Sequence, residues 1–134
     1  MAEEVLRVVV VRKGKVKPSE FRLREGEVGL SLFRKAASPD SGAIIEAVRA
    51  AGKQGDLSVV EIPVAVVMQL GLRLVSTLGG TPDPAVNALH VEARPSKWRH
   101  ILLRLRGIAV HDWFNEHMTA ILANEARLIE GELP

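Results

Sequence analysis

The order of hydrophobic and polar positions predicts several short strands. Residues 5–11 are rich in β-branched side chains and are interrupted by Arg7 alone, which predicts a largely buried strand. Residues 21–23 and 28–32 alternate apolar with polar or small positions, which predicts two short strands, or one strand with a bulge at residues 25–26. In these segments we expect Leu23, Val28, Leu30 and Leu32 to belong to the core. Residues 57–62, 72–77, 88–93 and 108–110 predict further strands.

Helix signals fall between these runs. Ser38 is a candidate cap before Pro39 and Asp40, and the helix that follows is expected to end at Gly52. Residues 63–70 predict a short apolar helix that ends at Gly71. We interpret the first of these segments as a packing helix, because its apolar positions share one face. A loop without a regular pattern is predicted for residues 78–87, which contain two glycines and two prolines.

The C-terminal third predicts two more helices. One opens at Pro95 and ends at Gly107, with an apolar side formed by Trp98, Ile101, Leu102 and Leu105. Asp112 is expected to cap the last helix, over residues 113–130. Strands and helices do not alternate as they do in a doubly wound sheet. We therefore predict an α+β (mixed α/β) fold with one sheet of five or six strands, packed by three or four helices, in a single domain over residues 1–134.

Composition narrows the classes of site. The 134 residues include no cysteine, which excludes disulfides and thiolate metal sites and agrees with a cytoplasmic protein. No apolar run approaches the roughly 20 residues of a membrane span, so no membrane association is predicted. The sequence His90-x-Glu92 lacks the cysteines of a zinc deaminase, and no Asp follows Asp112 to complete a His-Asp metal set. We predict neither a metal nor a cofactor.

Charge is balanced overall but uneven along the chain. The net charge of +2 does not by itself indicate nucleic-acid binding, yet one helix is strongly basic. Its cations are Arg94, Lys97, Arg99, Arg104 and Arg106. These side chains are suited to contact with the phosphates of a nucleic acid, or they form the solvated face of an ordinary amphipathic helix.

Glu125 is the unexpected residue of the last helix. It falls near the centre of the apolar arc that the neighbouring positions define. A carboxylate buried there must be paired or must shift its pKa, because desolvating an isolated charge is costly. Glu125 is therefore a buried ion pair, an exposed helix end, or a perturbed acid at a binding site.

The turn within residues 21–33 holds the candidate chemistry of the N-terminal half. Arg22, Ser31 and His90 are candidate catalytic residues, and Arg24 and Glu27 are candidate binding residues. An arginine there is suited to hold a phosphate, and a histidine to act as acid or base. This function requires the loop that precedes His90 to fold over the turn.

Two motifs carry a resemblance to a known family. An Arg-x-Arg-x-x-Glu-x-Gly-Leu-Ser run is formed by Arg22, Arg24, Glu27, Gly29, Leu30 and Ser31. A Leu-Gly-Leu strand entry at residues 70–72 precedes a Pro-rich loop that ends in Asn87 and His90. In both, the chain resembles a family of small uncharacterised bacterial proteins, although Leu32 and Phe33 stand where that family usually has Asn-Trp. The resemblance implies a bacterial origin and a shared location for the turn and the His90 loop, and it implies no particular activity.

Three functions follow from these patterns. Since no complete catalytic set is present, the first is a non-enzymatic interaction module that binds a partner protein in a bacterial multi-gene system, such as a toxin or defence system. The second is an enzyme directed at a nucleotide or nucleic acid, using Arg22 or Arg24 and His90. The third is phosphate-backbone binding through residues 94–106. A homo-oligomer is compatible with each of them.

Overall fold

Six strands form one antiparallel sheet with helices on both faces, which confirms the α+β prediction. The computed structural model describes residues 3–129. The strands are β1 (Glu4–Val10), β2 (Leu30–Arg34), β3 (Leu57–Pro63), β4 (Leu72–Ser76), β5 (His90–Pro95) and β6 (Arg127–Leu128). The helices are α1 (Ser41–Ala50), α2 (Val64–Gln69), α3 (Pro84–Asn87), α4 (Lys97–Leu105), α5 (Val110–His117) and α6 (Thr119–Glu125), with a 3₁₀ helix at Pro18–Phe21.

The strand order is β4-β5-β2-β1-β3-β6. β1 pairs with β3 along its whole length, from Glu4↔Pro63 to Val10↔Leu57. On its other side, β1 pairs with β2 at only two positions, Val5↔Arg34 and Leu6↔Phe33. The two strands therefore diverge beyond Leu6 and leave backbone groups of both without a ladder partner. This divergence positions the candidate site.

Each face of the sheet has its own apolar cluster, as strand alternation requires. Val5 and Val9 of β1 pack on the side that holds α5 and α6, where Phe114 is fully buried. Leu6 and Val8 pack on the opposite side, against α1. The 4% aromatic content is concentrated in these clusters, and most of the core is aliphatic.

The strand prediction for residues 21–32 is correct only in part. β2 begins at Leu30, Phe21 lies in the 3₁₀ helix, and no strand forms at Leu23. Leu23, Leu30 and Leu32 are buried as predicted, but Val28 is exposed. Pro18 opens the 3₁₀ helix, and the turn at Gly26 (φ 85°) separates Val28 from the apolar side chains before it.

Several helix boundaries differ from the predictions. Asp40 caps α1 in place of Ser38, because its Oδ1 accepts a hydrogen bond from Ala43 N at 2.9 Å. Pro84 opens the short helix α3 inside the segment predicted as a loop, with Asp83 as its cap. The helices of residues 3–129 are consequently more numerous than the three or four expected.

The predicted last helix is two helices, and the predicted strand at 108–110 does not form. α5 begins at Val110, so Asp112 lies in its first turn instead of capping it. The break falls at Met118 and Thr119, where Thr119 Oγ1 donates to the carbonyl of Asn115 at 3.1 Å. Side-chain hydrogen bonds of this kind bend helices. The predicted end of the helix at residue 130 lies outside the described residues.

α4 turns a different face to the core than its apolar stripe predicts. Leu103 is buried, whereas Trp98, Ile101 and Leu105 are 70%, 46% and 79% exposed. Ser96 caps the helix by accepting from Arg99 N at 3.2 Å. We infer that this cap and the short connection from β5 fix the rotation of α4, and that its larger apolar arc faces outward as a result. No helix among the described residues is both long and apolar enough to cross a membrane.

Candidate functional site

A groove of about 640 Å³ opens where β1 and β2 diverge. Its walls are the loop of residues 22–29, the C-terminal end of α1, and the loop before β5. The polar side chains that line it are those of Arg7, Arg22, Arg24, Glu27, Ser31, Lys53, Thr81 and His90.

Arg7 fills the gap between the diverging strands. Its Nε donates to the carbonyl of Glu20 and its Nη1 to the carbonyl of Ser31, each at 2.7 Å. The guanidinium carbon lies 5.9 Å from the centre of the Phe21 ring. Burial is the main reason that the pKa of Arg7 falls to about 10, and the nearby positive charge of Arg24 contributes. The side chain remains a cation at neutral pH and substitutes for missing ladder contacts.

Glu20 and Lys53 complete this polar cluster. Glu20 Oε1 accepts from Val10 N at 2.7 Å, and Lys53 Nζ donates to the carbonyl of Val8 at 2.8 Å. Lys53 Nζ lies 3.6 Å from Glu20 Oε1. Burial is the main reason that the pKa of Lys53 is lowered, and the positive charge of Arg7 lowers it further; together these effects exceed the opposite effect of Glu20. The ammonium group thus sits in an environment that disfavours positive charge.

The loop that carries Arg22 and Arg24 is held by α5. Asn115 makes two hydrogen bonds with the backbone of Leu23, accepting from its N–H at 2.7 Å and donating to its carbonyl at 2.9 Å. Glu27 Oε1 accepts from Arg24 N at 2.5 Å, which closes the turn. The side chains of Arg22 and Arg24 are exposed, and neither forms an ion pair within residues 3–129.

His90 forms the opposite wall. Its Nδ1 lies 2.8 Å from Thr77 Oγ1, and its ring meets Phe33 edge to face at a centroid distance of 5.4 Å. These contacts fix the imidazole orientation and leave Nε2 without a hydrogen-bond partner in the described part of the chain. Asn87 folds the preceding loop, since its Oδ1 accepts from Thr81 N at 2.9 Å and its Nδ2 donates to the Thr81 carbonyl at 2.8 Å.

The groove brings together five residues that the sequence suggests as site residues. They are Arg22, Arg24, Glu27, Ser31 and His90. Arg7 and Lys53 also line the groove, although neither is among the predicted site residues. Arg7 could have been identified from the sequence, because it is the one charged residue in a run of β-branched residues that is expected to be buried. Lys53 follows the end of a helix, and no pattern in the sequence distinguishes it from other lysines.

The other candidates lie outside the groove. Arg94 forms an ion pair with Glu92 at 2.8 Å, Arg99 lies over the Trp113 ring at 5.7 Å, and Arg104 is exposed. Glu125 is exposed at the end of α6, which matches the exposed-end alternative and not the buried one. The predicted burial of Glu125 assumed one continuous helix, and the break before α6 changes the direction in which the residues after it face.

The geometry suits anion binding and proton transfer. Guanidinium and ammonium groups hold phosphates, and an oriented imidazole with a free nitrogen can donate or accept a proton. No group of three His, Cys, Asp or Glu residues within the described chain is arranged to hold a metal ion. In comparisons with protein-family models, curated proteins and solved structures, no match to this chain was found.

Proposed function

We propose that the groove binds the phosphate group of a nucleotide-sized ligand. The observation that carries this proposal is the convergence of four cations, Arg7, Arg22, Arg24 and Lys53, on one groove. Glu20 and Glu27 interact electrostatically with this cluster, so four positive and two negative charges leave an excess of two. A bound phosphate would supply the missing negative charge.

The lowered pKa of Lys53 supports the same proposal. Burial is the main cause, the positive charges of Arg7 and Arg24 add to it, and Glu20 offsets only part of the decrease, so a bound phosphate would raise the pKa again. The volume of about 640 Å³ falls within the usual range for small-molecule sites, about 300–1,000 Å³. We expect Arg22 and Arg24 to make the direct contacts, because their guanidinium groups are exposed and unpaired within residues 3–129.

In this proposal, His90 is the acid–base group of an enzyme that acts on the bound nucleotide. Thr77 and Phe33 orient the ring so that its free Nε2 is available to the ligand. Ser31 lies on the groove floor as a hydroxyl that can hydrogen-bond to the same ligand. His90→Gln should leave nucleotide affinity within about threefold and abolish any turnover, because the acid–base role concerns reaction and not binding.

Calorimetric titration with ADP, AMP and pyrophosphate tests the binding proposal. Arg22→Gln and Lys53→Gln should each weaken binding by about tenfold, in line with about 1.5 kcal/mol for a hydrogen bond to a charged group. Arg104→Gln removes the same charge from exposed α4 and should leave affinity unchanged. Affinity that does not change in Arg22→Gln, or that changes equally in Arg104→Gln, would contradict a phosphate site in the groove.

The exposed stripe of α4 favours a second function, binding of a partner protein. Trp98, Ile101 and Leu105 follow i, i+3, i+7 spacing, which is the anchor pattern of a helix that lies in an apolar groove. Lys97 and Arg104 lie beside this stripe, and α4 contains no acidic residue. We therefore propose a partner whose apolar groove is rimmed by carboxylates. A second copy of this chain fits less well, because two such helices would bring cations together.

Site-specific photocrosslinking at Ile101 in cells that natively express the chain tests this second function. The crosslinked protein is identified, produced separately and titrated with the wild type. Leu105→Ser should weaken binding at least tenfold, while Leu78→Ser, at a leucine that is 84% exposed elsewhere, should not. A crosslink to the chain itself, or binding to anionic vesicles or duplex DNA without a protein crosslink, would refute the proposed partner class.

A further inference from the structure

The groove continues onto an uncovered part of the sheet. Alternation places Ser31, Glu92 and Arg94 on the same face, since the residues between them are buried on the other side. Arg73 of β4 pairs directly with Arg94, so it shares this face. α1 packs over β1 and β3, at the far side of the groove. Arg73 and Arg94 are consequently partly exposed beside the groove.

Arg94 connects the groove to this open face. A Cβ atom added to Gly29 would lie 2.7 Å from Arg94 Cγ, so the stem of Arg94 rests directly on Gly29. Gly29 itself lines the groove. A glycine at this position therefore lets a cation approach the groove wall closely, whereas a larger residue would displace it.

Arg73 and Arg94 form a like-charge pair across two strands, which destabilises a sheet unless other groups offset it. Glu92 pairs with Arg94 at 2.8 Å, and Arg73 Nε donates to the carbonyl of Pro95 at 3.2 Å. Glu92 is the one carboxylate in this cross-strand cluster, and it neutralises only one of the two arginines. An anion lying over the pair would offset the second charge.

The open polar face spans three adjacent strands, from Ser31 on β2 at the groove to Arg94 on β5 and Arg73 on β4. From β2 through β5 to β4 there are two strand spacings, about 10 Å in total. A single phosphate makes contacts of about 2.7–2.9 Å and cannot reach both ends of this face. Val75 and the His90 ring lie along the same face, where they offer surfaces for bases.

We infer that the ligand is a single-stranded oligonucleotide, with one phosphate in the groove and the next phosphates at Arg94 and Arg73. This inference rests on the proposed phosphate site. A single strand fits because its flexible backbone can follow the path from the groove floor onto the open sheet, while its unpaired bases remain free to contact Val75 and His90.

Titration with thymidine probes of different length separates the groove from its extension. The probes are a mononucleotide, a dinucleotide and a hexanucleotide, with the matching duplex and inorganic polyphosphate as further ligands. We expect affinity to rise with length. Arg73→Gln and Arg94→Gln should weaken hexanucleotide binding about tenfold and leave mononucleotide binding unchanged, whereas Arg22→Gln should weaken both. Each lost contact should reduce the slope of log affinity against log salt by about 0.7.

The outcomes are distinguishable. Hexanucleotide affinity that is unchanged in Arg73→Gln and Arg94→Gln but reduced in Arg22→Gln would overturn the extension and leave the groove proposal standing. Absence of binding by both the mononucleotide and the hexanucleotide would overturn both. Tighter binding of the duplex, or equal binding of polyphosphate with the same dependence on Arg73, would overturn the assignment to single-stranded nucleic acid. Arg73→Lys is the control for Arg73→Gln. Because it retains the positive charge, it should retain the salt slope of the wild type, which would show that the effect of Arg73→Gln comes from the lost charge and not from a disturbed fold.

Discussion

Glu61 offers the sharpest test of the electrostatics of this fold. Its side chain on β3 is 5% exposed, and it accepts hydrogen bonds from Lys35 Nζ at 2.9 Å and from Arg127 Nη2. Burial alone would raise the pKa of Glu61, but the hydrogen bonds from Arg127 and Lys35 outweigh it and hold the pKa below its ordinary value. These contacts tie β3 to the chain after β2 and to β6.

The size of the effect follows from the exposure of the two partners. A hydrogen bond to a charged group contributes about 1.5–3 kcal/mol when buried. The side chains of Lys35 and Arg127 are 50% and 74% exposed, so water compensates for much of their loss. We expect Glu61→Gln to lower the free energy of unfolding at pH 7 by about 1–2 kcal/mol. The melting temperature should fall by roughly 3–10 °C.

Urea unfolding at a series of pH values tests the reasoning. Because the folded pKa of Glu61 lies below the unfolded one, its contribution is complete above the unfolded pKa and is lost as the pH falls through the folded pKa. The difference in free energy of unfolding between wild type and Glu61→Gln should therefore become smaller as the pH is lowered from 7 to about 3. Glu46→Gln, at an exposed position on α1, is the control. An equal difference at both pH values, or one no larger than the control, would refute the argument.

Five further variants test the packing and the site. Ser58 Oγ is buried without a hydrogen-bond partner in the described chain, so Ser58→Ala should leave the free energy of unfolding in urea unchanged or raise it by up to about 1 kcal/mol. Thr119→Ala loses a hydrogen bond and should lower the same free energy by about 1 kcal/mol. Leu103→Ala should lower the free energy of unfolding by about 2–5 kcal/mol and exposed Leu105→Ala by less than about 0.5; the reverse order would contradict the orientation of α4. Asn115→Ala removes both hydrogen bonds to the 22–29 loop. It should lower the free energy of unfolding in thermal denaturation by about 1–3 kcal/mol and weaken phosphate binding in calorimetry. Unchanged phosphate affinity would exclude Asn115 as a positioning residue.

Strands could be predicted from the sequence where a local pattern of side chains favours a strand. β1 and β3 are runs of β-branched residues, and β4 begins by alternating apolar with polar residues. Both patterns fit side chains that pack against a sheet, so these three strands were predicted correctly. The turn containing Gly26 and the end of α1 at Gly52 are also locally determined, because both glycines have positive φ. The predicted proximity of the turn to His90 required the loop of residues 22–29 to lie next to the loop before β5. The two loops lie together because β2 pairs with β5, with Phe33 opposite His90.

Helix orientation could not be predicted in the same way. An apolar stripe indicates which face is hydrophobic, but it does not determine whether the core or a partner covers it. In α4, the buried contact is made by Leu103 alone, and the position of the helix depends on the Ser96 cap and on β5. The break at Met118 likewise depends on a side-chain hydrogen bond that no periodicity encodes. Lys53 was missed because its role arises from the divergence of β1 and β2.

That divergence also separates structural cations from those available to a ligand. Beyond Leu6, backbone groups of β1 and β2 lack ladder partners, and the side chains of Arg7, Glu20 and Lys53 bind several of them instead. Arg7 has two donors committed to carbonyls, so its removal would expose a structural defect as well as lower the charge. Lys53 uses one donor on the Val8 carbonyl and retains others for a ligand. Arg22 has no such commitment in the described chain, which makes it the variant whose loss reports on the ligand and not on the fold.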